Sequence, residues 1–322
     1  MKSSEKSPLG YIGLGKLIVE AGFPPGVVQF VSGATETGKL LSLHPGIRKI
    51  SFTGSLGAGQ QIQQAAARSN LKRVTLELGG KSAAIVFADA EFSGALLWSS
   101  QLILANAGQI CAATTRLYLH KSIADKFLAA LKAKFEQAAL NVANDAAGLM
   151  AIGPVVDNSQ FDRIMGYIEA GKKEATLLVG GKRKGNVGYY IEPTVFVDPK
   201  PDATIYREEV FGPVLTVRLF ETEEEVVGFA NDSEYGLSDL TSPTGAVYTQ
   251  DITLGLRVAR AIKSGSVGIN GFSMPTPVAP IGGVKMSGIG RELGKYALDE
   301  YTEPKTISIK YVMYSHPLHC QC

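Results

Sequence analysis

The feature that most constrains this chain is a repeated alternation of short β-branched runs with stretches of helical period. Strands are predicted at 27–31, 49–53, 74–77, 82–87, 117–120, 195–197, 214–217 and 266–270. Helices are predicted between them at 14–21, 60–67, 92–105, 158–172, 221–230 and 253–262, and after Ser122, which is predicted to cap one. Strands that alternate with helices favour an α/β fold with largely parallel sheets.

Composition excludes several classes of partner. The 322 residues are enough for two domains, 45% of them are apolar, and the net charge is only +2. So small a charge gives no electrostatic reason to bind nucleic acid or a membrane surface. No apolar run approaches the ~18 residues of a membrane span, and the first residues lack the apolar core of a signal peptide. We therefore expect neither nucleic acid nor a membrane as a partner.

Cys111 is the only cysteine before the last three residues. One internal cysteine offers no disulfide framework, so we expect a reducing compartment, the cytoplasm. A metal site needs a cluster of ligands, which the body of the chain lacks, so no metal is predicted. A cysteine hydrolase needs a histidine base, and only His44 and His120 precede the tail, each beside ordinary strand or turn residues.

Two short motifs carry candidate chemistry. Cys111 ends the sequence Gly108-Gln109-Ile110-Cys111 and is followed by two alanines, so its neighbours leave room for a substrate carbon. A lone cysteine is usually a small buried hydrophobe, and this stretch by itself does not make a nucleophile. The second motif, Leu76-Glu77-Leu78-Gly79-Gly80-Lys81, places the single carboxylate of Glu77 among apolar residues and glycines.

Glu77 precedes Cys111 by 34 positions. This order and spacing resemble the aldehyde dehydrogenase superfamily, in which the cysteine is the nucleophile and the glutamate the general base. The resemblance covers roughly residues 2–312. It implies an aldehyde dehydrogenase-like α/β fold with part of a Rossmann-type cofactor domain and an α/β catalytic domain. It also implies NAD-dependent oxidation of aldehydes to carboxylic acids, through a thiohemiacetal and then a thioester on the cysteine.

The resemblance further implies a set of cofactor residues. Family members hold the adenosine end of the cofactor with a lysine- and proline-containing segment, the phosphates with a Gly-Ser-x-x-x-Gly loop, and the nicotinamide end with a glutamate and an aromatic ring. The matching positions here are Lys2, Glu5, Gly54, Ser55, Gly59, Gln160, Arg163, Glu209 and Phe211. Because a carboxylate at Glu5 would repel a 2′-phosphate, NAD is expected rather than NADP.

Some of these stretches also have plainer interpretations. The loop at 54–59 lacks the third glycine of the dinucleotide fingerprint, and without the family it indicates a simple β–α turn. Paired glutamates such as Glu208 and Glu209 are usually a solvated loop end. Gly80-Lys81-Ser82 is not a nucleoside triphosphate loop, because Thr75 stands where that motif needs its first glycine.

Four segments are predicted. Residues 1–79 are the remaining part of an NAD-binding domain, 80–285 the thiol-bearing catalytic domain, 286–312 a C-terminal segment with an oligomerisation strand, and 313–322 a disordered tail. The period-two alternation over 306–312 predicts a half-buried strand whose edge must be covered. In the family the matching strand joins a neighbouring subunit, so a homodimer or homotetramer is expected of a full-length form.

The chain departs from the family pattern in several places. The family's first strands and its alkoxide-stabilising asparagine have no counterpart before Lys2. Residues 239–244 interrupt a family segment, 142–151 are alanine-rich where the family has a proline-containing loop, and Ile281 replaces an expected phenylalanine. Two hypotheses follow: an aldehyde dehydrogenase, or a non-catalytic remnant that binds cofactor poorly or associates with intact subunits.

Overall fold

The computed structural model describes residues 1–143, 151–237, 246–271 and 277–311. These residues form an α/β structure, as predicted. The strands are β1 (Lys49–Thr53), β2 (Arg73–Glu77), β3 (Ser82–Val86), β4 (Thr114–His120), β5 (Thr176–Val179), β6 (Thr194–Val197), β7 (Val214–Phe220), β8 (Ala246–Tyr248), β9 (Gly268–Ile269) and β10 (Gly288–Ile289). The helices are α1 (Leu9–Glu20), α2 (Thr35–Leu43), α3 (Leu56–Arg68), α4 (Phe92–Leu104), α5 (Ala124–Leu140), α6 (Asn158–Glu174), α7 (Thr204–Arg207), α8 (Glu223–Asn231), α9 (Ile252–Ala261) and α10 (Gly294–Tyr301).

The larger sheet has the strand order β5-β6-β7-β4-β3-β8-β9. Every neighbouring pair is parallel except β5 and β6, so the antiparallel strand described in this sheet lies at its edge. The central strands are buried on both faces: all five residues of β3 are buried, and so are six of the seven residues of β4. The predicted preference for parallel pairing is confirmed.

Helices cover both faces of this sheet. Leu117 and Leu119 of β4 pack in one apolar cluster with Phe127 of α5, whereas Tyr118 packs in another with Ile164 of α6. Successive strand side chains point to opposite faces, so one strand contributes to both clusters. Burying each such large apolar side chain contributes roughly 1.5–3 kcal/mol, and this double core fixes the positions of the loops at the strand ends.

The smaller sheet has the order β1-β2-β10, with β1 parallel and β10 antiparallel to β2. The outer edge of β1 borders a cleft of about 1280 Å³, whose lining also includes Met1 and Lys2. The strand predicted over 27–31 is wrong in extent, because Val31 makes only an isolated parallel bridge to Lys2. The chain before Val31 forms turns instead, such as the hydrogen bond from the Val27 N–H to the Pro24 carbonyl oxygen at 3.2 Å.

The helix predicted after Ser122 begins later than expected. Lys121–Ile123 forms a 3₁₀ turn, and the Ser122 N–H donates to Nδ1 of His120 at 3.3 Å. His120 therefore caps the turn, α5 starts at Ala124, and the cap predicted at Ser122 is wrong.

The strand predicted over 306–312 is not formed in this single chain over the part that is described, 306–311. Ile307, Ile309 and Tyr311 are exposed there, because no neighbouring strand edge is available to pair with them. The tail 313–322, the interruption at 239–244 and most of the stretch 142–151 lie outside the described residues. The four predicted segment boundaries stay predictions. No helix in the described ranges is long and apolar enough to cross a membrane.

Candidate active site

Cys111 lies in a strained turn between α4 and β4. Asn106, Ala107 and Gly108 all have left-handed backbone angles, with φ of 49°, 53° and 70°. A Cβ added to Gly108 would lie 2.2 Å from the carbonyl oxygen of Gly212, so glycine is required at this close approach. The turn leaves Cys111 half-buried, which is compatible with access by a small substrate.

Gln109 fixes the outer side of this turn. Its Nε2 donates to the carbonyl oxygen of Asn106 at 3.0 Å, and its Oε1 accepts from the N–H of Val156 at 2.9 Å. The residue next but one to the cysteine therefore connects the turn to the segment that leads into α6. These bonds restrict the conformations that the thiol loop can adopt.

Glu77 is the last residue of β2 and is only 7% exposed. The Gly54 N–H donates to its carbonyl oxygen at 3.0 Å, and Gly288 of β10 lies opposite it in the sheet. A Cβ added to Gly282 would lie 2.9 Å from Oε1 of Glu77. Gly282 thus lies against this carboxyl group, where a larger residue would crowd it.

The turn after Glu77 brings its motif against the cysteine loop. A Cβ added to Gly80 would lie 2.7 Å from the carbonyl oxygen of Cys111. The hydroxyl of Ser287 donates to the carbonyl oxygen of Gly79 at 2.7 Å and holds the turn from its other side. The two motifs identified in the sequence are therefore in direct backbone contact.

Glu209 contacts the same turn. Its Oε1 accepts from the Gly80 N–H at 3.2 Å, and a Cβ added to Gly79 would lie 2.1 Å from its Oε2. Burial raises the pKa of the Glu209 carboxyl, and the Gly80 N–H partly opposes that rise. The interpretation of Glu208-Glu209 as a solvated loop end fails for Glu209, which is half-buried against glycine backbone.

Gln160 and Arg163 hold the Glu209 loop by its backbone. Nε2 of Gln160 donates to the carbonyl oxygen of Phe211 at 3.0 Å, and Nη2 of Arg163 donates to that of Glu209 at 3.0 Å. Phe211 has a left-handed φ of 57°, which is unusual for an aromatic residue. These bonds maintain that conformation, while contacts of Gln160 and Arg163 with a cofactor stay predictions.

Of the other predicted cofactor residues, Lys2 and Glu5 lie at the cleft beside β1, whereas Gly54, Ser55 and Gly59 are not among its lining residues. Thr53 and Ala58 also line this cleft. Oγ of Ser55 caps α3 by accepting from the Ala58 N–H at 3.4 Å. The N-terminus of a helix carries a partial positive charge, so the start of α3 suits a phosphate group.

Gly59 explains the spacing of the predicted glycine loop. It is buried in the first turns of α3, and a Cβ there would lie 2.7 Å from Cδ2 of Leu78. The loop that begins at Gly54 therefore packs against the residue that follows Glu77. This contact fits a dinucleotide site at the cleft, although glycine packing alone also occurs in simple β–α turns.

Two buried cations near the site were not predicted as functional residues. Nζ of Lys81 donates to the carbonyl oxygens of Ile205 and Glu208, and Nε of Arg116 donates to the carbonyl oxygen of Lys81 at 2.8 Å. The available signal was a charged residue within a run of small and apolar residues. Within the described ranges, no cluster of histidine, cysteine or acidic residues could hold a metal ion.

The parallel sheet and the glycine-lined turn define an α/β protein in which the loop of a half-buried cysteine contacts the turn that follows a buried glutamate. Comparison with known proteins gives the particular family. The model of the aldehyde dehydrogenase family matches residues 1–307, and the chain belongs to that family.

Relatives and solved structures agree with this assignment. The chain is 47% identical over 310 residues to an aldehyde dehydrogenase of Emericella nidulans, covering 95% of this chain and 61% of that protein. It is 44% identical over 312 residues to aldehyde dehydrogenase 1A1 of Bos taurus, covering 96% and 61%. The chain thus spans about 61% of the length of these relatives.

Among solved structures, betaine aldehyde dehydrogenase from Staphylococcus aureus in complex with NAD⁺ is 40% identical, with a TM-score of 0.86 over 94% of this chain and 59% of that chain. Gamma-glutamyl-gamma-aminobutyraldehyde dehydrogenase from Burkholderia cenocepacia is 44% identical, with a TM-score of 0.87 over 94% and 60%. The fold described above is therefore the aldehyde dehydrogenase fold over the matched part.

Proposed function

We propose that this chain carries the nucleophile and the general base of an NAD-dependent aldehyde dehydrogenase. The observation that carries the proposal is the turn at Gly79 and Gly80, which contacts the backbone of Cys111 on one side and the carboxylate of Glu209 on the other. Glu77 directly precedes this turn. One short stretch therefore connects the thiol, the general base and the residue proposed to contact the nicotinamide ribose.

The proposed reaction begins at Cys111. Its thiolate adds to the carbonyl carbon of an aldehyde and forms a tetrahedral thiohemiacetal. Collapse of that alkoxide would leave a thioester on Cys111, and NAD, when bound, would supply the acceptor for the hydride that the carbon loses. Glu77 then takes a proton from water as the water attacks the thioester, and the thiolate of Cys111 leaves as the carboxylic acid is released. Water supplies the oxygen that the product gains.

The described residues fit the cofactor. The cleft beside β1 is open to the N-terminus of α3, and Lys2 and Glu5 line the same cleft. A carboxylate such as Glu5 accepts from a ribose 2′-hydroxyl and repels a 2′-phosphate, which favours NAD over NADP. Structural neighbours of this family crystallised in complex with NAD⁺ support a nicotinamide cofactor.

A second candidate function is association without catalysis. Helix α1 buries none of its residues, and Leu9, Ile12 and Val19 on it are highly exposed. An apolar helix in this state needs another polypeptide surface to cover it. This observation favours a chain that assembles with further aldehyde dehydrogenase sequence, either its own or that of an intact cytoplasmic subunit.

Aldehyde-dependent NADH formation separates the two functions. The chain would be assayed alone and also fused to the amino-terminal part of its Emericella nidulans relative, each with and without Cys111→Ala. The proposal expects activity in at least the fused form, loss of that activity with Cys111→Ala, and nearly unchanged NAD binding. If the fused Cys111→Ala variant keeps activity within a few-fold of its parent, Cys111 is not the nucleophile. A correctly assembled fusion without activity would favour association alone.

A further inference from the structure

Lys81 is a buried cation that no step of the proposed reaction uses. Its side chain is among the largest that are completely enclosed, and the residue is only 2% exposed. Removing an ammonium group from water is costly unless it is paired or hydrogen-bonded. A lysine in this position therefore needs a structural or functional reason.

The partners of Lys81 are one residue of the short helix α7 and the residue that follows this helix, directly before Glu209. Nζ donates to the carbonyl oxygen of Ile205 at 2.7 Å and to that of Glu208 at 2.6 Å. Carbonyl groups at the end of a helix have no partner within the helix, and here α7 ends at Arg207. Lys81 thus satisfies two buried acceptors at the start of the Glu209 loop.

Gly80, the residue before Lys81, binds the same loop. The Gly80 N–H donates to Oε1 of Glu209 at 3.2 Å, while Lys81 binds the backbone at Glu208, one residue earlier. Nε of Arg116 donates to the Lys81 carbonyl oxygen at 2.8 Å and fixes the lysine backbone to β4. Gly80 and Lys81, adjacent residues in the turn before β3, therefore bind the loop at two successive residues, Glu209 and Glu208.

We propose that Lys81 is a positioning residue that fixes Glu209 and Phe211 beside the Cys111 turn. This inference rests on the proposed function, because Glu209 and Phe211 are taken as the groups at the nicotinamide end of the cofactor. Lys81 does not contact substrate in this role. It acts by holding the backbone of the loop that carries those two side chains.

The charge state of Lys81 gives the proposal a distinctive signature. Burial, reinforced by the neighbouring Arg116 guanidinium, lowers the pKa of Lys81 to about 7, and the charges of Glu209 and Glu208 oppose that shift. A neutral amine keeps two N–H donors, enough for both carbonyl oxygens. The hydrogen bonds from Lys81 to Ile205 and to Glu208 can therefore both remain when the amine loses its proton.

The sign of the pH dependence follows from linkage. When the loop opens, Lys81 becomes hydrated and its pKa returns toward the usual value of 10.5. The open state then binds more protons than the closed state between about pH 7 and 10, so raising the pH favours the closed loop. Protection of the loop should increase with pH in this window, by roughly threefold or more per pH unit if opening fully exposes the amine.

Hydrogen exchange of the chain as it exists tests this directly. Peptides covering 204–214 would be followed at pH 7.5 and 8.5, after correction for the intrinsic rate, in the wild type and in Lys81→Met. The wild type should show the rise in protection. Lys81→Met leaves the carbonyl oxygens of Ile205 and Glu208 without the amine. Protection of 204–214 in this variant should be at least tenfold lower than in the wild type at both pH values, and it should not rise with pH.

Lys72→Met is the matched control. Lys72 is also buried, and its Nζ donates to Oγ of Ser69 at 2.8 Å, away from the Glu209 loop. This variant should keep the wild-type pH response in 204–214. A flat wild-type response would overturn the proposal even if Lys81→Met does not fold, and so would a rise that Lys81→Met retains.

Cofactor binding separates this inference from the proposed function. If NAD binds, Lys81→Met should weaken NAD at least fivefold more than ADP, which lacks the nicotinamide riboside. Equal weakening of both ligands would contradict a positioning role for Lys81. If neither ligand binds the wild type, the NAD-dependent function fails for this chain, while the exchange experiment still decides whether Lys81 holds the loop.

Discussion

Ser287 donates its hydroxyl to the carbonyl oxygen of Gly79 at 2.7 Å, across more than half of the chain. The same hydroxyl accepts from the Gly236 N–H at 2.9 Å, and the Ser287 carbonyl oxygen accepts from the Leu78 N–H at 2.8 Å. Ser287 is completely buried. The segment before β10 is therefore bonded to the turn that connects Glu77 with Lys81.

Ser287→Ala should destabilise the chain by about 1–3 kcal/mol, because it leaves the Gly79 carbonyl oxygen and the Gly236 N–H buried without their partner. The measurement is the free energy of unfolding from urea titration. Ser100→Ala is the control, since Oγ of Ser100 only supplements a helix carbonyl, that of Leu96 at 2.6 Å. An equal fall in the free energy of unfolding for the two variants would mean that the Ser287 bonds contribute no more than a helix side-chain bond.

Gly80→Ala should displace the thiol turn. The added methyl group would lie 2.7 Å from the carbonyl oxygen of Cys111 and 3.2 Å from Cβ of Leu237, and neither atom can move without its backbone. We expect a loss of about 1–3 kcal/mol and a change of severalfold in the rate at which a disulfide reagent labels Cys111, measured with both tail cysteines replaced by serine. Gly228→Ala is the control, because nothing lies within 4 Å of its added Cβ in α8. An unchanged labelling rate in Gly80→Ala would contradict the close contact.

The sequence predicted the fold class and the long elements because their patterns are periodic. The apolar stripe of Phe127, Leu131 and Phe135 is completely buried in α5, as expected for an amphipathic helix. Elements without such a pattern were missed. Helix α10 buries none of its residues and β5 is a half-exposed antiparallel edge strand, and neither was predicted.

Within the site, the motifs located Cys111 and Glu77, whereas their support could not be predicted. Lys81 and Ser287 act through hydrogen bonds to backbone far away in sequence, and no local pattern encodes those partners. The strand predicted over 27–31 failed for a related reason. Val31 has the expected β-branched side chain, but a strand also needs a neighbouring edge, and Lys2 supplies only one bridge.

Glu77→Gln should separate the two halves of the proposed reaction. An amide cannot take a proton from water, so thioester hydrolysis should slow by about 10²–10⁴-fold, while hydride transfer is affected less. Rapid-mixing measurements on an active amino-terminally extended form should then show a burst of NADH followed by a slow steady state. Glu221→Gln is a carboxylate control whose Oε1 accepts from Nζ of Lys121 at 2.6 Å on the surface, outside the thiol turn and the cleft. If Glu77→Gln leaves both phases as they were, Glu77 has only a structural role.

Glu5 gives a prediction about cofactor choice in the same extended form. Its carboxylate lines the cleft beside β1, and a phosphate on the 2′-oxygen of the ribose would meet a like charge there. The ratio of kcat/KM for NAD to that for NADP should therefore exceed one, and Glu5→Gln should lower it severalfold. A lower KM for NADP than for NAD in the parent would refute the assignment.

The exposed surface of α1 predicts how the chain behaves when it is expressed alone. Leu9, Ile12 and Val19 are 78%, 63% and 76% exposed on a helix that buries none of its residues. Clustered apolar side chains of this kind drive association. We expect the chain alone to be poorly soluble or to elute as mixed oligomers, and an amino-terminally extended form to be a defined homodimer or homotetramer. Light scattering coupled to size exclusion would measure both.

Charge substitution tests whether α1 is the cause. Ile12→Lys combined with Val19→Lys should shift the chain alone toward smaller species, because each change breaks the apolar surface. Val187→Lys adds the same kind of charge at an isolated valine that is 85% exposed, and it should have little effect. A monodisperse wild-type monomer that melts cooperatively and forms NADH with an aldehyde would contradict this prediction and the need for any covering surface.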